Sequence, residues 1–252
     1  MACKKTYLIF LLLPFVTHCG KIHDNLVQEG THPIFATESV SGVADEVGVW
    51  VDRHEPIRSV IIGNDKSHTG ALYVYDLRGK FIHRSPYMNN PVGVSIRYDI
   101  PLNGEHVDVV GCGLRSSNQI KLFKIDRETR ELIDITTEGG IAVGFERDTY
   151  GFCLYKRASD GQLFAFVSRK ETDDLHQILL EDDGKGKIKG TLIRQFGKKE
   201  MKSFVEGMVA DDEYGYLYAS DEQFAILKFH ADPTGFPDPF ISSRSLQDCI
   251  KK

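Results

Sequence analysis

The sequence predicts an all-β fold on three observations. Short apolar runs follow one another from residue 45 onward, with little of the 3.6-residue periodicity typical of helices. Turn sequences such as Asn103-Gly104 and Asp182-Asp183-Gly184 separate these runs. Similar segments, a glycine followed by an apolar-aromatic run and an acidic turn, start near residues 70, 161 and 215, with a weaker copy near 119. This spacing approaches the length of a four-stranded blade, so it favours a β-propeller of about four blades over a β-sandwich.

Each predicted strand is an apolar run, rich in β-branched or aromatic residues, that ends at a turn sequence. A further short apolar strand is predicted directly after Glu206. In chain order, the other predicted strands are 47–51, 59–62, 71–75, 106–110, 119–125, 151–155, 162–167, 176–180, 188–196, 216–219 and 225–229.

The amino terminus resembles a secretory signal peptide. Two lysines within residues 1–5 precede an apolar run over residues 6–16, which is too short to cross a bilayer about 30 Å thick as a helix. A buried strand is the alternative, but the adjacent lysines fit it poorly. We therefore expect a signal peptide at 1–19, an N-terminal extension at 20–44, a partial propeller domain at 45–252, and a secreted, extracellular or periplasmic location. The sequence before Cys19 loosely resembles a lipoprotein cleavage box, so lipidation of Cys19 is the alternative and the only membrane attachment expected.

Composition and charge limit the function. The chain has 252 residues, 31 Lys and Arg against 36 Asp and Glu, and a formal charge of −5. These are globular values, and the net negative charge argues against a nucleic-acid partner. After Cys19, the cysteines Cys112, Cys153 and Cys249 allow one internal disulfide at most, and the absence of a CxxC pair makes a zinc site improbable.

Two acidic groups are candidate metal ligands. The first flanks the first predicted strand and contains Glu38, Asp45, Glu46 and Asp52. Carboxylates gathered at strand ends suit Ca²⁺, although solvated loop positions are the alternative for each. The second group is Glu206, just before a short strand, and Glu222, after the next strand. A hairpin would bring both to one edge, where their repulsion implies a cation if both are buried.

Cationic and aromatic candidates lie near predicted strand ends. Lys66, Arg97, Arg115 and Lys170 could face the same end of a propeller, although each alone is more often a surface charge. Tyr150 precedes Gly151 at a strand entry, where its hydroxyl could approach a ligand or where its ring could simply pack.

Five segments together resemble one family. They are DEVGVWVD (45–52), SIRYDIPLNGEHVDVVGCGLRS (95–116), YGFCLY (150–155), SRKE (168–171) and VEGMVADDEYGYLY (205–218). The chain is similar to the β-propeller phytases, calcium-dependent 3-phytases that remove phosphate from myo-inositol hexakisphosphate. The resemblance implies a six-bladed-type β-propeller that is incomplete here, with about four blades present and a truncated C-terminus.

The resemblance also implies roles for individual residues. Catalysis would fall to Tyr150, Glu206 and Glu222, and substrate phosphates would bind Lys66, Arg115 and Lys170. Calcium ligands would be Glu38, Asp45, Glu206 and Glu222, and a metal-activated water would attack phosphorus. The sequence departs from the family pattern at Asp45-Glu46, where paired aspartates are expected, and at Asp65, Ser95 and Leu114.

Two other functions stay open. A truncated propeller could act as a non-catalytic binding module for a phosphorylated or protein partner. Another calcium-using propeller hydrolase, such as a lactonase, is disfavoured by the DDEYG segment at 211–215. Phytase activity on inositol phosphates is the first hypothesis.

Overall fold

The computed structural model describes residues 33–146, 148–170 and 174–234, and the backbone of 240–244. The chain divides into two units, Met1–Ile34 and Phe35–Lys252, and the fold below is that of the second. The predicted signal peptide at 1–19, with Cys19, and the last cysteine, Cys249, lie outside the described residues. None of the helices in the described part has the length and apolar character needed to span a membrane.

The all-β prediction is confirmed. Four antiparallel sheets lie in a propeller arrangement, and within each sheet the main strand order follows the sequence. The first blade contains β1 (Ala44–Trp50), β2 (Val60–Asp65), β3 (Leu72–Asp76) and β4 (Phe81–Arg84), with a 3-10 turn at Pro56–Arg58. The second contains β5 (Pro91–Leu102), β6 (Glu105–Leu114), β7 (Gln119–Ile125) and β8 (Leu132–Asp134), and β9 (Ile141–Ala142) pairs with β7.

The remaining strands form two further blades. The third blade contains β10 (Thr149–Lys156), β11 (Leu163–Arg169), β12 (Leu175–Asp182) and β13 (Ile188–Phe196). The fourth contains β14 (Val205–Asp211), β15 (Tyr216–Asp221), β16 (Ala225–His230) and β17 (Phe240–Arg244). The first strand of each blade is called its inner strand below.

Strand prediction is accurate for long, uninterrupted apolar or alternating runs. The predicted bounds of β7 and β13 agree with the structure at both ends. Five strands were not predicted at all: the short strands β4, β8 and β9, the last strand β17, and β5, in which polar residues interrupt the apolar run. Glu206 lies inside β14, not before it, because that strand already begins at Val205.

The repeated segments gave the right number of blades but not equivalent positions. The segments near residues 70 and 119 form β3 and β7, which are third strands of their blades. Those near 161 and 215 form β11 and β15, which are second strands. Second and third strands of a blade are both buried and both border a turn, so the same residue pattern occurs in second strands and in third strands.

Adjacent blades pack face to face through three apolar clusters. Trp50 and Phe123 belong to the cluster of the first two blades. Phe152 packs in the cluster of the second and third, and Phe166 in that of the third and fourth. Gly111 permits the close approach of Phe152, because a Cβ at this glycine would lie 2.9 Å from Cζ of the ring. These contacts fix how the inner strands lie beside one another.

A buried polar contact also joins the first two blades. The Trp50 indole N–H donates to Asp108 Oδ2 at 2.9 Å, and Arg127 Nη2 lies 3.1 Å from the same oxygen. The side chains of Trp50 and Asp108 are both almost fully buried. The buried carboxylate is therefore neutralised and hydrogen-bonded, as a buried charge requires.

Candidate active site

The inner strands share a β-bulge near their amino-terminal ends. Ladder pairing shifts between Ala44 and Val47, between Val92 and Ser95, between Thr149 and Phe152, and between Val205 and Met208. Bulges re-aim side chains and are common beside active sites. Three of the predicted site residues, Asp45, Tyr150 and Glu206, occupy the same place within their bulges. The sequence folds these residues towards one end of the inner strands.

Four predicted site residues occupy a second set of equivalent positions. Each is the first residue after the second strand of its blade, and its backbone N–H donates to the carbonyl of the residue just before the inner strand. The four donors are Lys66 (to Val43, 2.9 Å), Arg115 (to Asn90, 3.0 Å), Lys170 (to Asp148, 2.9 Å) and Glu222 (to Phe204, 3.2 Å). Because the inner strands start at this end, the four residues lie at the same end as the bulges.

Tyr150 is at the centre of these groups. Its hydroxyl donates to Glu222 Oε1 at 3.2 Å, and the Glu206 carboxylate also lies beside it. Burial and these two carboxylates raise the pKa of Tyr150, so the phenol stays protonated and remains a hydrogen-bond donor. Arg115 and Lys170 flank the ring, with the guanidinium carbon 5.9 Å and Nζ 5.6 Å from its centroid. One aromatic side chain thus has two acids beside its hydroxyl and two cations near its ring.

The remaining charges at this end are partly paired. Lys66 Nζ lies 2.5 Å from Asp45 Oδ1, and this bond, with Glu206 nearby, raises the pKa of Lys66. Burial, then Asp45 and Glu206, raises the pKa of Glu46 to about 7. The acids therefore repel one another at neutral pH, and Lys66 offsets only part of that repulsion.

Glu38 lies apart from Tyr150, Glu206 and Glu222. Its Oε1 accepts the N–H of Phe81 on the outer strand β4 at 3.2 Å. A groove of about 430 Å³ across the first blade is lined by Glu38 together with Asp45 and Glu46. No hydrogen bond or salt bridge described for Glu38 reaches the central acids, and its role as a metal ligand stays a prediction.

Two other charged candidates do not lie where the sequence suggested. Asp52 lies at the opposite end of β1 from Asp45, where it accepts the N–H groups of His54 and Glu55 at 2.9 and 3.0 Å. It is a turn-forming residue, so it does not belong with the acids of the site. Arg97 lies within β5, and its Nε is 2.7 Å from Asp212 Oδ2 of the fourth blade. It joins two inner strands and is not a strand-end cation.

Sequence reasoning missed the polar residues that hold the site together. The side-chain amide nitrogen of Asn90 donates to the backbone carbonyl of Lys66 at 2.8 Å. The backbone carbonyl of Asn90 accepts the N–H of Arg115. Asn90 has a φ of 52°, a conformation in which asparagine is enriched. The Asn-Pro sequence at 90–91 indicates a turn. It does not indicate that Asn90 connects the backbones of Lys66 and Arg115. Asp148, 3.6 Å from Arg115 Nε, was likewise not assigned a role.

The cysteines contribute no crosslink in the described part. Cys112 and Cys153 are free and buried, and burial raises the pKa of both thiols to about 12. A thiol that stays protonated at neutral pH is a poor nucleophile and metal ligand. We therefore assign both residues to the apolar cores.

The donor set fits calcium in chemistry but is not a complete cage. Glu206 and Glu222 border the Tyr150 hydroxyl and offer oxygen ligands of the kind Ca²⁺ prefers. Burial first, and then the charges of Asp45 and Glu206, raise the pKa of Glu46, and a bound cation would offset that negative charge. Within the described residues, no three His, Cys, Asp or Glu side chains are grouped closely enough to hold a metal by themselves. Calcium takes six to eight oxygens, so these acids would supply part of its shell.

Comparisons with known proteins identify the family of this chain. The family model described as Phytase matches residues 18–244, most of the chain and all the predicted site residues. The chain belongs to the phytase family. A 3-phytase of Bacillus subtilis (strain 168) is 38% identical over 209 residues, covering 81% of this chain and 52% of that protein. The chain thus spans about half the length of the curated relative it matches.

A solved structure resembles this chain more distantly. It is described as a complex of KlAtg21 with the coiled-coil of AgAtg16, is 14% identical and has a TM-score of 0.46. The match covers 73% of this chain and 52% of that chain.

Proposed function

We propose that this chain carries the substrate-binding and acidic groups of a calcium-dependent phytase, a phosphomonoesterase that acts on myo-inositol hexakisphosphate. The observation that carries the proposal is the place of Tyr150, with Glu206 and Glu222 beside its hydroxyl and Arg115 and Lys170 beside its ring. A phosphomonoester needs cations for its oxygens and a hydrogen-bond donor beside the reacting centre. Membership in the phytase family supports the substrate class.

Three cations would bind substrate phosphates. Lys66, Arg115 and Lys170 follow equivalent strands of three successive blades, so their side chains start from one end of the propeller. A highly phosphorylated ring would contact more than one of them at once. Lys170 Nζ lies 5.6 Å from the centroid of the Tyr150 ring, so its ammonium group could bind a phosphate held beside that side chain. Arg115 can bind a phosphate through two parallel hydrogen bonds, because its guanidinium is a planar fork.

The acids would hold the metal and orient the Tyr150 hydroxyl. Glu206 and Glu222, with Asp45 and Glu38 as further candidates, would bind calcium through carboxylate oxygens. When bound, calcium neutralises these acids against the substrate and lowers the pKa of a coordinated water. Tyr150 keeps its proton beside two carboxylates, so it can donate a hydrogen bond to an anionic substrate oxygen that displaces Glu222.

Phosphate release from inositol hexakisphosphate tests the proposal, measured with added Ca²⁺ and again with a chelator. Glu206→Gln keeps the shape of the side chain but removes its charge, and we expect it to weaken Ca²⁺ binding and phosphate release at least about tenfold. Glu105→Gln is the matched control, because Glu105 is an exposed residue of the β5–β6 hairpin. Phosphate release that persists in chelator, or an equal effect of both substitutions, would contradict the calcium mechanism.

A second candidate is binding without turnover. It is favoured by the absence, among the described side chains, of three closely grouped metal ligands. Inositol hexakisphosphate would then bind through the three cations and remain intact. Titration calorimetry that detects binding, combined with no phosphate release at saturating Ca²⁺, would support the binding module over the enzyme.

We also propose export from the cytoplasm through the amino-terminal segment. Its supporting features are the lysines and the apolar run in residues 1–16. Mass spectrometry of the expressed protein would distinguish cleavage after residue 19 from lipidation of Cys19. An intact amino terminus in the cytoplasm would contradict both.

A further inference from the structure

Ser168 lies opposite the bulge that carries Tyr150. The pairs Thr149–Arg169 and Phe152–Val167 flank the bulge, so Ser168 alone faces two residues, Tyr150 and Gly151. Its side chain is almost fully buried, with 1% of its surface exposed. A buried hydroxyl requires hydrogen-bond partners, and those of Ser168 are both backbone groups of the site.

The Ser168 hydroxyl joins the third and fourth blades. Its Oγ accepts the N–H of Gly151 at 2.7 Å, and its O–H donates to the carbonyl of Val205. Gly151 directly follows Tyr150, and Val205 directly precedes Glu206. One hydroxyl therefore binds the backbone on one side of the central tyrosine and on one side of the central acid.

The backbones at this point are in close contact. A Cβ at Gly151 would lie 2.5 Å from the carbonyl oxygen of Glu206, 2.8 Å from that of Val205 and 2.9 Å from Ser168 Oγ. Only glycine fits here, so the two bulges touch without an intervening side chain. The separation of the two inner strands is consequently set by their backbones and by the Ser168 hydroxyl.

The first blade repeats the arrangement with a different residue. Asn64 is the residue opposite the bulge of β1, between the pairs Ala44–Asp65 and Val47–Gly63. Its Oδ1 accepts the N–H of Glu46 at 2.6 Å, and its Nδ2 donates to the carbonyl of Pro91 at 2.8 Å. Glu46 follows Asp45 as Gly151 follows Tyr150, and Pro91 begins the next inner strand as Val205 does. The same connection thus occurs twice with different chemistry.

We propose that Ser168 is a positioning residue that sets the place of Tyr150 relative to Glu206 by fixing two inner strands to one hydroxyl. The kinetic consequence rests on the phytase function proposed above, whereas the structural consequence does not. Removing the hydroxyl leaves a buried N–H and a buried carbonyl unpaired, which lets the two bulges move apart. A shift on the order of 1 Å at a catalytic group can lower turnover about a hundredfold.

The test compares Ser168→Ala with Ser85→Ala in the full chain. Ser85 is buried, accepts the N–H of Leu72 at 3.0 Å and donates to the carbonyl of Pro86 at 2.9 Å, so its substitution removes equivalent bonds among the outer strands of the first blade. The first measurement is fluorine NMR of protein containing 3-fluorotyrosine, with the Tyr150 resonance assigned by Tyr150→Phe. The second is kcat for phosphate release from inositol hexakisphosphate, and the third is the unfolding midpoint in urea.

We expect Ser168→Ala to move the Tyr150 resonance and to lower kcat about tenfold to a hundredfold. Ser85→Ala should lower the unfolding midpoint by a similar amount, but it should leave the Tyr150 resonance in place and kcat within about twofold of the native value. Ser168→Thr, which retains a hydroxyl, should restore much of the native resonance position and of the native kcat. If Ser168→Ala fails to fold, Ser168→Cys replaces it, because Cys112 occupies the equivalent buried place in the second blade.

An unchanged Tyr150 resonance in both Ser168→Ala and Ser168→Cys would overturn the positioning role, whether or not the chain releases phosphate. A resonance that moves equally in Ser85→Ala would also overturn it. A resonance that moves only in the Ser168 variants, in a chain that releases no phosphate, would uphold the positioning role and reject the proposed function.

Discussion

The Tyr150 hydroxyl lies 3.2 Å from Glu222 Oε1, and this hydrogen bond joins the third and fourth blades. Tyr150 is held in the bulge of an inner strand, and Glu222 directly follows the second strand of the next blade. Their contact therefore depends on how the two sheets pack and not on either segment alone. It brings a protonated phenol to the acids that we propose as metal ligands.

The first prediction concerns this hydroxyl. We expect Tyr150→Phe to lower kcat/KM for inositol hexakisphosphate about tenfold or more, because it removes a hydrogen bond to charged groups. The ring and its contact with Phe204 remain, so the free energy of unfolding should change little. Steady-state phosphate release and urea unfolding measure the two effects.

The matched control is Tyr214→Phe, because Tyr214 lies in a turn with 70% of its surface exposed. This variant should retain full kcat/KM. If Tyr150→Phe retains it as well, the hydroxyl takes no part in catalysis or substrate binding.

Prediction from the sequence succeeded for residues whose location in the fold depends only on which strand they follow. Lys66, Arg115, Lys170 and Glu222 follow second strands, and an apolar run ending in a charge marks such a position. Antiparallel pairing then fixes the end of the propeller at which the charge lies. The common placement of these four residues was accessible for this reason, and their roles stay predictions.

Prediction failed where side-chain contacts between blades decide the outcome. Arg97 is a strand-interior residue whose partner, Asp212, lies two blades away. Ser168 and Asn64 are ordinary polar residues of buried strands, and only the packed structure shows which backbone groups they join. Pairing between distant segments leaves no local signal in one sequence.

The second prediction concerns the buried link between the first two blades. Trp50→Phe removes the indole N–H that reaches Asp108 and leaves unfilled volume beside it. We expect the free energy of unfolding to fall by about 2–4 kcal/mol, since a buried carboxylate loses a partner and the core loses contacts. Urea unfolding followed by circular dichroism measures the loss.

Ile57→Val serves as the control, because 79% of the Ile57 surface is exposed and the change should cost under about 0.5 kcal/mol. A Trp50→Phe variant as stable as this control would mean that Asp108 does not depend on the indole.

The third prediction is a pH dependence of stability. Arg157 binds Asp160 through two hydrogen bonds, at 2.9 Å from Nε and 2.7 Å from Nη2, and lowers the pKa of Asp160 to about 2. A carboxyl group with a lowered pKa stabilises the folded state above its unfolded pKa and loses that contribution as pH falls. Asp160→Asn should therefore be less stable than the native chain at pH 5–7, with a difference that shrinks from about pH 4 towards pH 2.

Urea unfolding of both proteins at several pH values measures this difference. Glu105→Gln should show a small difference at every pH, because Glu105 is exposed and joins no described salt bridge. A deficit of Asp160→Asn that stays constant down to pH 3 would show that the charge of Asp160 contributes nothing and that only its shape does.

The fourth prediction separates phosphate binding from chemistry. Lys170→Met keeps most of the length of the side chain but removes the ammonium group beside the Tyr150 ring. If that group holds a substrate phosphate equally in the ground state and the transition state, KM should rise about tenfold or more while kcat changes little.

Lys185→Met removes the same charge from an exposed turn between β12 and β13, so KM should then stay within about twofold. A fall in kcat at constant KM for Lys170→Met would instead assign the ammonium group to the transition state, and equal effects of both variants would reduce its role to net charge.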